Sequence, residues 1–496
     1  MIDVLLTVLY YPFIWPFHAA LVVLVAVFAW VAVRDLFQQK SAIKRNFPLF
    51  GMGRYFVAAA GPPLRQYLFE NDRDERPIPR YIRKWIYASA ESDKATVPFG
   101  TQLDIDRPGA VLMRHSAFPA LPNYHPERVR IGGRRGVAYD AALFNISAMS
   151  FGSLGKNAVL AMSTGAGEGG FYQNTGEGGV SPYHLGGGGD LVWQLGTAKF
   201  GCRNKDGSFN EDAFRTTAAH DNIKMIELKL SQGAKPGKGG ILPKEKITPE
   251  IARIRMIEPG QDVVSPPRHP EWDDADGLCA FIGRLQELSG KPVGIKFCLG
   301  DPGFLDDLCL SFKRTGIMPD YIAIDGAEGG TGAAPLAHTN MLGYPLLDAL
   351  MMTENALIRH GMREEIKLCA SGKVWTGGDL AVVLAAGADF AAAARGFMLS
   401  VGCIQALHCN TNFCPAGVAT HSRWLQRGLV PKVKAPNVAN YQHAVIHEFA
   451  DVLASCGYDN PAALSRKDIM KVVDWHTLKP LTDLVPYPWR DRPLES

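Results

Sequence analysis

Neither sign of charge is in marked excess in this chain. Lys and Arg total 52 against 49 Asp and Glu over 496 residues, and the charges are spread along the length. That balance removes the basic footprint on which nucleic-acid binding rests, so no nucleic-acid partner is expected. A disulfide framework is missing too. The nine cysteines are an odd number, and Cys202, Cys279, Cys298, Cys309, Cys369 and Cys456 are scattered singly, which reads as reduced core residues. Nucleotide motifs of the usual kind are absent. Gly237-Lys238 lacks the spacing and the following Ser/Thr of a P-loop, and no GxGxxG follows an early strand, so no ATP or NAD(P) site is expected. With 47% hydrophobic residues the chain is not a disordered one.

Between Val4 and Val33 there is no Asp, Glu, Lys or Arg, and Ala19–Val33 is apolar throughout. About 20 apolar residues cross a bilayer core. Tyr10, Tyr11, Phe13, Trp15 and Phe17 around Pro12 and Pro16 have the composition of a boundary segment. A cleaved signal peptide would want a positive start and a small-residue cleavage site, whereas this chain starts MIDV. A buried core helix rarely stays uncharged for so long. The far flank carries Arg34, Lys40, Lys44 and Arg45 against Asp35, so the expectation is a single span with the body in the cytoplasm. Later runs are shorter.

The segment 41–135 is aromatic and charged, and is expected to pack on the main domain because Tyr81, Trp85 and Tyr87 would be wasted in a solvated linker. From about residue 140 short apolar runs recur: 143–150, 170–176, 191–201, 225–230, 293–298, 321–326, 366–372 and 390–396. Continuous apolar runs fit parallel strands covered by helices. Between them, 274–290 has helical spacing and a terminal Gly, and 376–388 opens on Thr376 and Asp379. Eight strand–helix units predict an α/β fold, a (β/α)8 TIM barrel over 136–430, with a doubly wound sheet as the competitor. Residues 1–40 would be the anchor and 431–496 a C-terminal helical extension, with starts at Asn460-Pro461 and a Ser465…Asp468 box.

In a barrel the loops after the strands form the site. Glycines cluster at 176–179, 186–189, 233–240 and 326–332, and Ser371-Gly372 and Arg395-Gly396 end the last two strands, where barrels commonly hold a phosphate. Lys229 and Lys296 end two other strands. A lysine in a partly dry mouth is costly unless it meets an anion, and a reduced flavin is one such anion. Cys403, Cys409 and Cys414 form C-x5-C-x4-C followed by Pro415. Three thiolates in one loop point to an iron–sulfur cluster of [3Fe–4S] type; zinc is the alternative, with His408 or His421 as a fourth ligand.

Taken together, ISAMSFGSLG (146–155), NTGEGG (174–179), LSQGAKPGKGGILP (230–243), VSPPRHP (264–270), GGTGAAP (329–335) and CPAGVAT (414–420) occur in an order that resembles the flavin-binding domain of the glutamate synthase family, most closely its short single-domain relatives. The resemblance covers about 99–475. It implies a barrel holding FMN beside a [3Fe–4S] cluster ligated by Cys403, Cys409 and Cys414. FMN would lie against Ala148, Met149 and Ser150, with Asn174, Lys229 and Lys296 around its ring. Gly329, Gly330, Thr331, Ser371, Gly372, Arg395 and Gly396 would surround its ribityl chain and phosphate. Glu177, Gln232, Lys235 and Arg255 would form the 2-oxoglutarate or 2-iminoglutarate site of an oxidoreductase acting on CH–NH2 donors.

Departures from the family pattern change the expectation for substrate and partners. No counterpart of the amidotransferase domain precedes the barrel in these 496 residues, so a separate glutaminase subunit or free ammonia is expected to supply nitrogen. Ile241 stands where the family carries a polar amide. IDGAEGG (324–330) brings in Asp325, Ala327 and Glu328. One lost buried hydrogen bond can change substrate discrimination by orders of magnitude. Two competing expectations follow. One is a membrane-linked FMN dehydrogenase of another small amino or keto acid, passing electrons to a quinone or a protein partner; the other is a non-catalytic membrane-tethered scaffold.

Overall fold

Each of the eight apolar runs overlaps a strand, and the strands close on one another. In the computed structural model, which describes residues 2–93, 96–258 and 260–488 and only the backbone over 2–14, these are β1 (Phe144–Ile146), β2 (Gln173–Asn174), β3 (Leu191–Leu195), β4 (Ile223–Lys229), β5 (Val293–Phe297), β6 (Tyr321–Asp325), β7 (Lys367–Ser371) and β8 (Phe390–Ala393). Every neighbouring pair is parallel, and the β4–β5 and β8–β1 pairs complete the ring. The fold is therefore an eight-stranded α/β barrel and not a doubly wound sheet. Helices between the strands carry the expected signals. Asp274 caps Ala275–Ser289, which ends on a left-handed Gly290, and Thr376 and Asp379 form a reciprocal capping box on Gly377–Ala385.

Side chains alternate in and out along each strand. On β4 the period of two lines up Met225, Glu227 and Lys229 on one face, a gradient from apolar to acidic to basic along the barrel axis. The apolar end is a buried cluster with Tyr172, Val192, Met225, Tyr321, Cys369 and Phe390. A hairpin, Val129–Gly132 with Ala138–Ala141, adds Ile131 and Ala141 to that cluster and so plugs the end remote from the site. The four glycines 186–189 run into the start of β3, so they lie at the end away from the mouth, contrary to the expectation that each glycine cluster follows a strand. They pack against the helix Lys156–Gly169, where a Cβ at Gly187 would come within 2.3 Å of Ser163 Oγ.

The chain divides into two compact units after Arg80. In the second, Trp85 meets Tyr441 edge-on at 6.2 Å and Tyr87 donates a hydrogen bond to the Cys403 carbonyl at 2.7 Å, which fixes the segment from Tyr81 against the barrel unit. After the long helix Pro431–Ser455, Asn460 and the Ser465–Asp468 box cap short 3-10 turns. Two strands follow, Ile469–Asp474 and Thr477–Pro480, and pair with Val111–Met113 in a small antiparallel sheet. The last part of the expected C-terminal extension, 489–496, lies outside the described residues.

The first unit contains α1 (Ile2–Phe37), α2 (Ala42–Asn46) and α3 (Phe50–Leu64), the last continuing into a π-helical turn over Arg65–Phe69. Within α1, Trp15–Phe37 is long and apolar enough to cross a membrane and is not covered by protein; it is the one such helix among the described residues.

Candidate active site

Lys229 ends β4 with its side chain in the barrel mouth. Its Nζ lies 3.0 Å from Glu177 Oε2 and donates to Gln232 Oε1 at 2.6 Å. Glu177 comes from the loop after β2 and its carboxylate is wedged between two backbone segments. A Cβ on Gly196 or on Gly240 would each stand 2.5 Å from one of its oxygens, so both positions need glycine for close approach. Burial pushes the Glu177 carboxyl up, but Lys229, Lys235 and Arg255 together outweigh it and hold the group ionised, below the usual carboxylate range.

Lys235 and Arg255 are both buried. Lys235 Nζ donates to the Ala333 carbonyl at 2.9 Å; burial, then repulsion from Lys229, brings its pKa down to about 8. Arg255 stacks over Phe200 at 4.9 Å, and burial lowers its pKa to about 10. Its Nη2 reaches Phe151 O at 3.3 Å and Ser150 Oγ at 3.5 Å, both long, and its Nε is buried with no partner. An under-satisfied buried guanidinium is set to take a carboxylate through two parallel hydrogen bonds.

On the next strand, Lys296 Nζ is 3.8 Å from Asp325 Oδ1, beyond hydrogen-bond distance. Burial lowers its pKa, but Asp325, Glu227 and further anions reverse this, so it stays above the usual lysine value. Asp325 Oδ2 also accepts from Gly233 N at 2.8 Å, tying the loops after β4 and β6 together. Glu328, the other acid of the altered IDGAEGG string, accepts from Leu346 N, and its carboxyl lies beside Gly326 and Gly372. Ile241 sits in a two-stranded ribbon, opposite Val264.

The remaining flavin-side positions assemble around the same mouth. Ala148, Met149 and Ser150 follow β1, and Met149 N donates to Asn174 O. Asn174 spends its side chain inside the barrel, accepting from Gly176 N at 3.0 Å and donating to Glu227 at 2.8 Å. The Ser147 and Ser371 hydroxyls face each other at 3.2 Å across the β1 and β7 ends. Gly372 and Lys373 both take positive φ as the chain leaves β7. Arg395 donates to the Glu328 carbonyl at 2.7 Å and lies against Gly330, which brings Gly329 and Gly330 to the β8 exit. Thr331 is exposed beside them. Gly396 serves packing: a Cβ there would stand 2.2 Å from the Tyr441 hydroxyl.

Cys414 is buried, with Cys403 and Cys409 partly so. Burial pushes the Cys403 thiol up to about 12, with Cys409 and Cys414 adding to the effect. Among the described residues no three His, Cys, Asp or Glu side chains converge as a metal-holding group. His408 is exposed, and His421 Nε2 is engaged with the Gly152 carbonyl at 2.8 Å.

The family-model region described as the conserved region in glutamate synthase matches residues 134–459. A glutamate synthase large subunit-like protein YerD of Bacillus subtilis is 38% identical over 488 residues, covering 90% of this chain and 93% of that protein. The chain belongs to the glutamate synthase family. It is thus an oxidoreductase acting on CH–NH2 donors. It is also 33% identical to an archaeal glutamate synthase [NADPH] of Methanocaldococcus jannaschii, over 64% of this chain and 60% of that one. Among solved structures, a mutant flavocytochrome b2 with pyruvate bound aligns with 86% of this chain and 87% of its own at a TM-score of 0.46 and 12% identity.

Two residues of this glutamate synthase relative escaped the sequence reading. Glu227 is buried beneath the lysines and accepts from Asn174, from Gln194 at 2.7 Å and from Tyr321 at 3.1 Å. Its signal was present: a Glu two residues before Lys229 on a strand shares its face. Lys246 is buried and donates to Ser153 O at 2.6 Å and Cys409 O at 3.1 Å, bridging the loop after β1 to the cysteine loop. It stands in the short 3-10 turn Lys244–Lys246, where the sequence has no periodicity, and nothing local marked it.

Proposed function

We propose that this protein is an FMN- and iron–sulfur-dependent enzyme that aminates 2-oxoglutarate reductively, and that Trp15–Phe37 holds it at a membrane with the catalytic body in the cytoplasm. The observation that carries the reading is the group of buried cations around Glu177: Lys229 is paired, while Arg255 retains unfilled donor capacity. A dianionic keto acid satisfies such a site. Arg255 and Lys235 would bind its carboxylates, Gln232 and Lys229 would orient its carbonyl end, and ionised Glu177 would hold ammonium or an iminium group by charge.

Bound FMN would supply the hydride for reduction of the imine carbon. The mouth suits that cofactor. Lys296 is charged, buried and not hydrogen-bonded to its carboxylate neighbour, which fits an anionic ring edge, and Arg395, held on the Glu328 carbonyl against Gly330, would supply the cation for a phosphate. Cys403, Cys409 and Cys414 would hold a [3Fe–4S] cluster. The C-x5-C-x4-C spacing supports this, and Gln405, Leu407 and Asn412 of the same loop take left-handed backbone conformations. A reduced protein partner would supply electrons, and free ammonium or a separate glutaminase subunit the nitrogen.

The test is anaerobic reduction of the detergent-solubilised full-length protein, followed by addition of 2-oxoglutarate with ammonium. The expected result is a flavin spectrum with a broad iron–sulfur absorbance, iron and acid-labile sulfide that disappear in Cys409→Ser, and reoxidation yielding glutamate. Reoxidation by quinone but not by 2-oxoglutarate with ammonium would overturn the substrate assignment. Zinc in place of iron would overturn the cluster.

A further inference from the structure

Between Leu36 and Phe69 the chain has five basic residues, Lys40, Lys44, Arg45, Arg54 and Arg65, and no acidic one. This stretch forms α2, α3 and the π-helical turn that extends α3 to Phe69. Its large apolar side chains are uncovered: Phe47, Phe50, Phe56, Val57, Leu64, Tyr67, Leu68 and Phe69 are all exposed, Phe50 by 87% and Phe69 by 78%. Only Gly51 is buried within α3, where the helix approaches the α2 backbone. Gly53 and Gly61 face open space. A helix that is apolar nearly all round is normally buried in protein or lipid. Arg54 and Arg65 lie roughly three turns apart and so fall on one side. Arg54 and Pro62-Pro63 within α3, with Arg65 just after it, are ill suited to a second crossing of the hydrocarbon. They suit a helix lying along the surface, with its long cations reaching up to headgroups.

We propose that Ala42–Phe69 is an interfacial element that docks on an anionic lipid surface. Two observations choose this occupant. The charge is of one sign throughout, which complements anionic headgroups. The segment is also continuous, through residues 38–41, with the apolar helix Trp15–Phe37, so an anchored chain emerges at that interface. Local contacts support the geometry. Ser41 caps α2, its hydroxyl meets the Tyr55 hydroxyl at 2.6 Å, and Lys44 lies over the Tyr55 ring at 4.6 Å, which folds α3 back against α2 at the exit of α1. Apolar side chains would then sink about 5–10 Å into the headgroup and acyl boundary.

The inference rests on the membrane-anchor reading, and the test separates the two. Full-length protein is reconstituted into vesicles of phosphatidylcholine alone or phosphatidylcholine with phosphatidylglycerol. An environment-sensitive fluorescent amino acid replaces Phe56, Leu68 or, as the control inside the span, Leu24, one at a time. The expected result is blue-shifted emission at 56 and 68, quenched by lipids brominated near the carbonyl and strengthened by phosphatidylglycerol. Combining Arg54→Gln with Arg65→Gln should raise the phosphatidylglycerol fraction needed for that shift. If 24 is quenched by bromolipid while 56 and 68 are quenched only by aqueous iodide, the anchor stands and the interfacial element fails. If 56 and 68 are shielded from both quenchers, protein covers them and the proposal fails. If 24 escapes bromolipid as well, the anchor reading falls and takes this one with it. Equal quenching without phosphatidylglycerol would overturn the anionic specificity.

Discussion

Lys235 has a reason to be conditional. Burial, then Lys229, holds its pKa at about 8, whereas an unfolded or exposed lysine titrates near 10.5. If it binds a carboxylate of the keto acid, that contact exists only while Nζ is charged. The KM for 2-oxoglutarate should be flat below pH 8 and rise about tenfold for each pH unit above it. Lys235→Arg keeps its charge across that range and should flatten the profile, even if its absolute KM is worse. A wild-type KM that stays flat to pH 10 would remove Lys235 from the binding set. The stability sign is opposite to the binding sign. Between pH 8 and 10.5 the unfolded chain holds the proton and the folded chain does not, so this residue's contribution to stability rises with pH over that window. Lys235 itself was legible, because it belongs to a motif string. Its burial was not, because the Ala333 carbonyl that it bonds lies 98 positions away.

At the scale of strands, the eight-fold repeat was readable because parallel strands covered on both faces must be continuously apolar, and residues 143–396 obey that rule. The short strands at 111–113, 129–141 and 469–480 were not readable, since three to six half-exposed residues carry too little period to stand out. The runs also concealed polar interior positions. Glu227 on β4 accepts from Asn174 on β2, Gln194 on β3 and Tyr321 on β6, so one carboxylate ties four strands. Replacing it with leucine strands three buried donors. Glu227→Leu should therefore destabilise the barrel by about 3 kcal/mol or more, seen as a lower denaturant midpoint. Glu227→Gln should fall between, since its one remaining carbonyl oxygen still accepts. Unchanged stability in both would mean that water replaces the carboxylate and that the network is incidental.

At the scale of the whole molecule, the proposed orientation follows from where the charges fall. Arg34, Lys40, Lys44 and Arg45 crowd one end of Trp15–Phe37, with Asp35 the lone acid there, and positive flanks stay on the cytoplasmic side. The chemistry makes the same demand. The unit from Tyr81 onward holds nine free thiols, three of them in the loop proposed to carry iron, and an oxidising compartment would pair or oxidise them. Full-length protein with green fluorescent protein at its C-terminus should fluoresce, and the same chain with alkaline phosphatase there should be inactive. In sealed inside-out membranes, added protease should degrade the catalytic unit; in right-side-out spheroplasts it should not. An active phosphatase fusion would reverse the topology. The thiols would then have to survive without a reducing cytoplasm, and the iron–sulfur assignment would lose its compartment before any spectrum was taken.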